Sequence, residues 1–502
     1  MYNYNYNTHY NPSPPKSSSH SPQQTHSSSN TMDDIPIVTG TPLPPPVAPH
    51  QQHYGGGHSY DAQGNRYAAT TTTGRPNLHT ATALNGGRSS RVVLPTAGQE
   101  NVLLSGTTIR SLQDQGFTAG LAQQLQTNKR AFPLAIWIVD NSGSMAQRDG
   151  HRFVETTQAT HVKLVECTRW SEMQQTVSYH VQLAALLQSP TVFRLLNDPG
   201  RVAGPQQFSI AEHAASDITR EVAVAQQVML NATPNGVTPL IPHLQEVRQN
   251  ILDLQDELRK DGAKVVLVLA TDGLPTDERG ISDRFVQQQF VDTLRTLEGL
   301  PVWIVVRLCT DEVSTTSSSR ELCVCVGVWV CVVCRIIIIN LFFSHFGHLF
   351  CFSISLYVFF PFYFQEQVVD FWNNLDNQLE LSLEVLDDFQ AEAKEIQDTN
   401  PWLNYGLPLH RMREMGFYSK LFDLLDERKL AKDELREFFC LLFGTAQMDG
   451  VPDPQADWKS FLVAIERLNR KEGKTWNPIT RRMDYWVDMR KLKRAYSKGW
   501  FW

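Results

Sequence analysis

The sequence is poor in the features that mark secreted and nucleic-acid-binding proteins. Of its eight cysteines, only Cys167, Cys309 and Cys440 lie outside the stretch 323–351, and three scattered thiols form no disulfide framework. The formal net charge of -7 argues against nucleic-acid binding by the chain as a whole. The amino terminus lacks the basic and then apolar pattern of a secretory signal, so we expect a cytoplasmic protein.

Residues 1–93 have too few aliphatic side chains to offset the entropy of ordering a chain, and we predict a disordered, low-complexity tail there. Residues 94–130 read as a helical extension, because apolar residues recur at helical spacing from Ile109 to Leu125. We expect two short helices in the extension, packed on the domain that follows.

The region 131–400 alternates apolar strands with helices. Two strands are wholly apolar, Leu134 to Val139 and Val265 to Ala270, and we predict a third buried strand from Val302 to Leu308. A clear amphipathic helix runs from Leu240 to Leu258. This pattern predicts an α/β fold with a doubly wound, mostly parallel sheet of the Rossmann-like kind. Further predictions are helices over 153–167, 217–231, 282–297, 367–379 and 379–398, and antiparallel edge strands over 176–187 and 191–196.

Small polar residues follow the first of these strands immediately. Asp140, Ser142 and Ser144 bring one carboxylate and two hydroxyls to the carboxyl end of the strand, where open α/β sheets bind ligands. Oxygen donors suit a hard cation such as Mg2+, but three donors leave it short of ligands. A plain alternative is a turn in which the same residues cap the next helix.

With Thr238 in a Pro/Gly loop and Asp272 after a later strand, these residues resemble the metal-ion-dependent adhesion site (MIDAS) of the von Willebrand factor type A (vWA) domain. The resemblance covers about Ala131 to Asn400 and implies an insertion over 188–216. It implies that Mg2+ or Mn2+ is held by five residues, namely Asp140, Ser142, Ser144, Thr238 and Asp272. Thr233 competes with Thr238 for the threonine role; we prefer Thr238 because it opens the amphipathic helix.

The resemblance implies a binding module that captures an Asp or Glu of a protein partner through the bound cation. We do not expect an enzyme, because no histidine base accompanies the serines; His151 and His161 are predicted to lie on the surface of the first helix. A metal-dependent hydrolase is one alternative. A membrane-anchored vWA protein is another.

That second alternative depends on residues 313–365, which interrupt the pattern. The stretch 336–364 is apolar and long enough to span a membrane. We interpret 313–365 instead as a retained intron translated in frame, since Val313-Ser314 fits a donor site and the phenylalanine-rich end before Gln365 fits a pyrimidine tract. Its removal would join Glu312 to Glu366 and create a helix-capping box that begins at Thr310.

Residues 401–502 are predicted to form an all-helical region, with helices over 409–428, 432–443, 458–470 and 479–496. Bases outnumber acids from Arg467 to Lys498, and four tryptophans, Trp476, Trp486, Trp500 and Trp502, interleave with them. Such a patch can contact phosphates or an anionic surface, although a solvated helical face is the commoner reason for this pattern. We predict no specific nucleic acid.

Overall fold

The computed structural model describes residues 104–155, 162–213, 215–309, 368, 370–375, 378–417 and 419–497. Our interpretations of the tail 1–93 and of the segment 313–365 therefore lie outside the described residues. Within these ranges the strands are β1 (Leu134–Val139), β2 (Gly150–Glu155), β3 (Val162–Cys167), β4 (Thr191–Leu195), β5 (Gln207–Ile210), β6 (Val265–Thr271), β7 (Val302–Leu308), β8 (Leu383–Leu386), β9 (Lys474–Asn477) and β10 (Arg482–Tyr485).

The α-helices are α1 (Gly106–Asp114), α2 (Ala119–Ala131), α3 (Arg169–Leu187), α4 (Ile218–Asn231), α5 (Leu240–Lys260), α6 (Arg284–Arg295), α7 (Phe389–Thr399), α8 (Leu407–Glu414), α9 (Lys420–Glu427), α10 (Lys432–Phe443), α11 (Thr445–Met448), α12 (Trp458–Glu472) and α13 (Met489–Tyr496). Among the helices of the described ranges, none combines the length and the apolar character that a membrane crossing requires.

The main sheet has six strands in the order β5-β4-β1-β6-β7-β8. All neighbouring strands are parallel except β4 and β5, which pair antiparallel at one edge. From β1 the chain steps outward through β4 and β5, and it then returns to the other side of β1 to build β6, β7 and β8. The prediction of an α/β fold with a mostly parallel sheet is confirmed.

Helices cover both faces of this sheet, because successive side chains of a strand point to opposite faces. On one face Ile136 and Ile138 of β1 pack with α5 and α6. On the other face Trp137 and Val139 of β1 pack with α3 and α4. Both faces of β1 are therefore core, which explains its unbroken apolar sequence.

Three predictions for the region between β1 and α4 are wrong. The segment 153–167 belongs to an antiparallel hairpin of β2 and β3, not to a helix. The segment 176–187 is helical and forms most of α3, and the antiparallel edge strand is β5 rather than either predicted strand. The segment 188–216, where we expected an insertion, contributes β4 and β5 to the six-stranded sheet, whereas β2 and β3 pair in a separate two-stranded sheet.

The carboxyl-terminal predictions also need correction. The segment 379–398 holds the strand β8 before α7, and 409–428 is two helices, α8 and α9. The helix predicted over 479–496 covers only the end of that segment, because β10 pairs antiparallel with β9 before α13 begins at Met489. The region is therefore not all-helical. The helices α10 and α12 are confirmed.

The two amino-terminal helices α1 and α2 exist as predicted but pack elsewhere. Leu121 and Leu125 of α2 belong to one core cluster with Phe438 and Phe443 of α10. The backbones of α2 and of the residue after α10 approach so closely that a Cβ added at Gly120 would lie 2.3 Å from the backbone nitrogen of Gly444. The extension therefore packs mainly on the carboxyl-terminal helices, and not chiefly on the sheet domain.

Candidate functional site

The site lies where β1 and β6 end side by side. Val139 pairs with Ala270 in register, and the Asp140 N–H donates to the Ala270 carbonyl oxygen at 2.8 Å. Asp140 and Asp272 consequently follow neighbouring strands at the point where the chain changes direction across the sheet. Open α/β sheets leave a crevice at such a point because the connections on either side run to opposite faces.

A chain of hydrogen bonds joins the first loop to the end of β6. Asp140 Oδ1 accepts from the Ser142 N–H at 2.8 Å, and the Ser142 and Ser144 hydroxyls lie 2.9 Å apart. The Ser144 hydroxyl then donates to Asp272 Oδ1 at 2.9 Å. Residues Gly143–Ala146 form one 3-10 turn, which holds both hydroxyls on the same side. The structure thus brings together four of the five predicted ligands through direct contacts.

The fifth predicted ligand, Thr238, lies beside them. Its N–H donates to the Thr276 hydroxyl at 3.0 Å, and its own carbonyl accepts from the Thr276 N–H at 3.0 Å. Its hydroxyl oxygen lies 4.0 Å from where a Cβ would sit on Gly273, the residue after Asp272. Thr238 is buried, whereas Thr233 is exposed. The geometry accordingly favours Thr238 for the threonine role.

Backbone contacts fix the loop that carries Thr238 against the first loop. The Gly143 N–H donates to the Gly236 carbonyl at 3.1 Å. Gly236 has a φ of +74°, and a Cβ there would lie 2.5 Å from Asn197 Oδ1. Asn197 is itself locked, because its N–H donates to Asn141 Oδ1 at 2.7 Å and its side-chain amide donates to the Val237 carbonyl at 2.8 Å. Gly236 is therefore required for both conformation and space.

The two buried carboxylates act on each other. Burial, and then the negative charge of Asp272, raise the pKa of Asp140 to about 7. Hydrogen bonds oppose the shift, above all the one that the Thr271 hydroxyl donates to Asp140 Oδ2 at 2.6 Å. Asp140 therefore changes its charge near neutral pH when no cation is bound.

A buried arginine completes the site. Arg169, at the start of α3, donates from Nη1 to Asp272 Oδ2 at 2.9 Å. Its other edge pairs with both oxygens of Asp149, from Nε at 2.7 Å and from Nη2 at 2.5 Å. Burial acts to lower the pKa of Arg169, but the hydrogen bonds and charges of these two aspartates outweigh burial and leave it above its usual value. Arg169 is a permanent cation at this position.

The donor chemistry of the cluster suits a hard divalent cation. Direct contacts join two carboxylates and two serine hydroxyls, the Thr238 hydroxyl lies beside them, and all of these groups offer oxygen. In the part of the chain that the structure describes, no three His, Cys, Asp or Glu side chains gather where they would hold a metal ion, so a cation here would depend on the hydroxyls. The residues fit Mg2+ or Mn2+, with Arg169 taking one of the four carboxylate oxygens.

The histidine considered as a base is not where the sequence predicted it. His151 lies on strand β2, and its N–H donates to Glu172 Oε2 at 2.9 Å. It is half-buried rather than a surface residue of a helix. His161 lies outside the described residues.

Sequence reasoning missed four residues of this neighbourhood. Asn141 and Thr271 adjoin predicted ligands, and that adjacency could have identified them. Arg169 and Asn197 carry no local signal, because each reaches the site from a different segment of the chain.

A second buried polar cluster joins α3 and β7 to α8. The Glu414 carboxylate shares hydrogen bonds with His180 at 2.9 Å and Arg411 at 2.7 Å, and it lies 3.3 Å from Nε of Arg307. Arg307 also pairs with Glu172 of α3. Burial acts to raise the pKa of Glu414, but the charge of Arg411 and the two neighbouring histidines outweigh burial and hold it well below its usual value. This cluster ties the carboxyl-terminal region to the sheet.

Comparisons with known proteins add no family assignment. No family model matches the chain, and no curated protein matches it.

Proposed function

We propose that this chain is a vWA-type binding module with a MIDAS, which captures an acidic side chain of a protein partner through a bound Mg2+ or Mn2+. The observation that carries the proposal is the continuous contact from Asp140 through Ser142 and Ser144 to Asp272, with Thr238 beside it, at the point where the sheet reverses. A turn that only caps a helix does not require a contact with a distant strand end.

The strand order supports the vWA assignment. Numbered in chain order within the six-stranded sheet, the strands lie 3-2-1-4-5-6, which is the order of a doubly wound fold. In such a fold the ligand site lies between strands 1 and 4, which are β1 and β6 here. The proposed cation position coincides with that crevice.

An external carboxylate would complete the coordination. The cluster offers neutral hydroxyls and two carboxylates, one of which is shared with Arg169. Mg2+ prefers six oxygen ligands in a near-octahedral arrangement, so water or a ligand from outside must fill the remaining positions. An Asp or Glu of a partner brings the negative charge that water lacks.

The hydrolase alternative receives less support. The Ser142 and Ser144 hydroxyls contact each other, and Ser144 contacts Asp272, so the serine oxygens point to the proposed cation position. Among the described residues, the carboxylate that accepts from a serine hydroxyl here is Asp272, and Arg169 holds its other oxygen, so no histidine base is in the place that a serine nucleophile needs. We propose a binding module and not an enzyme.

The membrane-anchored alternative also receives less support. Strand β7 precedes the segment 313–365 and β8 follows it, yet the two pair in parallel, with Val305 beside Glu384. A single membrane crossing between them would place neighbouring strands of one sheet on opposite sides of a bilayer. We propose that the module works in the cytoplasm.

We also propose that the carboxyl-terminal region contacts an anionic surface. The β9–β10 turn, strand β10 and helix α13 expose basic side chains for which no ion pair is found among the described residues. The exposed apolar residues Met483 and Tyr485 lie on the same hairpin. Basic residues beside exposed apolar ones are typical of surfaces that bind anionic lipids. The basic residues are Arg481, Arg482, Arg490, Lys493 and Arg494.

Isothermal titration of the full chain with Mg2+, after treatment with a chelator, tests the proposed function. We expect binding in the parent protein and its loss in Asp140→Asn, which has the same shape without the charge. Thr238→Ala should weaken binding less, because water can replace a hydroxyl. The matched control is Thr233→Ala, which removes an exposed threonine of the same loop and should change nothing.

Absence of Mg2+ and Mn2+ binding in the parent protein would overturn the proposal. Unchanged affinity in Asp140→Asn would remove Asp140 from the site. A loss in Thr233→Ala, with Thr238→Ala unaffected, would assign the threonine role to Thr233.

A further inference from the structure

Asp272 is engaged on both of its oxygens by the protein itself. Oδ1 accepts from the Ser144 hydroxyl and Oδ2 accepts from Arg169, each at 2.9 Å. The side of the carboxylate that faces Ser144 is the side on which the hydroxyls gather. A cation held by those hydroxyls can therefore meet only one oxygen of Asp272 without breaking the pair with Arg169.

Arg169 cannot easily leave this position. Its guanidinium uses three nitrogens on two aspartates, and 3% of the side chain is exposed. Its backbone N–H donates to the Gln147 carbonyl at 3.0 Å, and α3 begins at this residue with a cap from Thr168. Moving the guanidinium would leave a buried charge unpaired, which is strongly destabilising in proteins.

The arginine also weakens the negative field at the proposed cation position. Its positive charge lies 2.9 Å from Asp272, and both side chains are almost fully buried, so water screens little of the interaction. Asp149 pairs with the other edge of Arg169 and offsets part of the positive charge of the guanidinium. Its effect is smaller than that of a buried carboxylate, because the Asp149 side chain is 31% exposed and is screened by solvent. Asp140 remains the one carboxylate of the cluster without a cationic partner.

We propose that Arg169 is a specificity-determining residue: by pairing with Asp272 it leaves the bound cation with positive charge that an acidic ligand must neutralise. This inference rests on the proposed function. Arg169 does not touch the cation; it acts through Asp272. Without it, the two carboxylates would neutralise the cation more completely, and the module would bind metal tightly but acids weakly.

The test compares Mg2+ affinity in two variants of the full chain by isothermal titration. Arg169→Gln keeps a hydrogen-bond donor and removes the charge. We expect this variant to bind Mg2+ about tenfold more tightly than the parent protein. A tenfold change is the order of magnitude for one partly screened charge that acts on a divalent cation. Asp149→Asn leaves the arginine charge less compensated, and we expect binding about threefold weaker. The opposite signs matter, because a purely structural role for Arg169 would weaken binding in both variants.

The control is Arg279→Gln, which removes the same charge from an exposed position in the loop after Asp272 and should leave affinity unchanged. A second readout is the effect of acetate. By thermodynamic linkage, acetate in excess at constant ionic strength should tighten Mg2+ binding in the parent protein. It should do so several-fold less in Arg169→Gln.

The outcomes separate this inference from the proposed function. If the parent protein does not bind Mg2+, the proposed function fails. If it binds Mg2+, and Arg169→Gln binds with equal or lower affinity, the role of Arg169 fails alone. Should Arg169→Gln not fold, Asp149→Asn decides, and affinity equal to or tighter than that of the parent would overturn the inference.

Discussion

The indole N–H of Trp372 donates to the carbonyl oxygen of Gly273 at 3.2 Å. Gly273 follows the predicted ligand Asp272, whereas Trp372 belongs to the chain beyond the segment 313–365. Trp372 is fully buried and packs edge-on against Phe290 of α6, with ring centroids 5.4 Å apart. The part of the chain that follows residues 313–365 therefore supports the loop that begins at Asp272.

Deletion of residues 313–365 should give a folded protein with the Mg2+ affinity of the parent. Both anchors of the following chain, Trp372 and β8, lie outside the deletion, and the removed stretch is long and apolar. Size-exclusion chromatography, thermal unfolding and titration with Mg2+ measure the outcome. The matched control is deletion of 313–375, which also removes Trp372 and Leu375 and should cost about 3 kcal/mol or more.

Aggregation or unfolding of the shorter deletion, with a well-folded parent, would contradict this prediction. Sequencing of the mature transcript tests the intron interpretation separately. A message that retains these codons in most copies would refute it.

Mg2+ binding should weaken as the pH falls through neutrality. The pKa of Asp140 is raised to about 7 by burial and by Asp272, and a proton competes with the cation for this carboxylate. We expect affinity about tenfold lower near pH 6 than near pH 8, measured by titration calorimetry. A profile that is flat over this range would contradict a raised pKa at a ligand.

Asp140 should also make the free energy of unfolding of the metal-free protein depend on pH. Its pKa in the folded protein lies above the value in the unfolded chain, so its contribution is fully present below about pH 4 and is lost as the pH rises through 7. Asp140→Asn should remove this dependence. Urea unfolding in chelator at several pH values provides the comparison.

Glu414→Gln should destabilise the folded protein by about 3 kcal/mol, because it removes the carboxylate that pairs with the buried Arg411 and leaves Arg307 with Glu172 alone. Urea denaturation measures the change in the free energy of unfolding. The control is Glu257→Gln on the exposed face of α5, which should stay within about 0.5 kcal/mol of the parent. Equal effects from the two substitutions would argue against a stabilising role for the cluster.

Lys493→Glu combined with Arg494→Glu should reduce binding to vesicles that contain phosphatidylserine. Each base near an anionic bilayer contributes about 1 kcal/mol, so reversing two charges should lower binding at least tenfold. Flotation with neutral and anionic vesicles measures it, and Arg110→Glu with Lys260→Glu reverses two exposed charges elsewhere. Equal loss in both double variants, or stronger binding to RNA than to vesicles, would contradict the proposed surface.

The sequence predicted the buried strands well because their burial is two-sided. Strands β1, β6 and β7 have core on both faces, so each contains a long apolar run, although Arg307 interrupts the run of β7 near its end. The motif around Asp140 could be found for the same reason. The end of a buried strand, and contacts among the residues that follow it directly, can be predicted from the order of residues in the sequence.

Helix α3 shows where that reasoning fails. Its β-branched and aromatic residues Thr176, Val177 and Tyr179 favour a strand by local propensity, but burial of Val177 and Val181 against the sheet selects a helix. The helix cap was the available signal, since the Thr168 hydroxyl accepts from the Ser171 N–H. Arg169 could not be assigned to the site from sequence, because its contact with Asp272 spans two segments that only the fold brings together.

The cluster around Glu414 limits how this chain can be divided. A fragment that ends at residue 400 would retain Arg307 and His180 without the carboxylate that they share. It would also uncover Val266 and Trp303, against which the chain at Gly416 packs closely. The sheet is therefore not expected to fold without the carboxyl-terminal helices. A recombinant or evolutionary rearrangement that moves the sheet to another protein must move those helices with it.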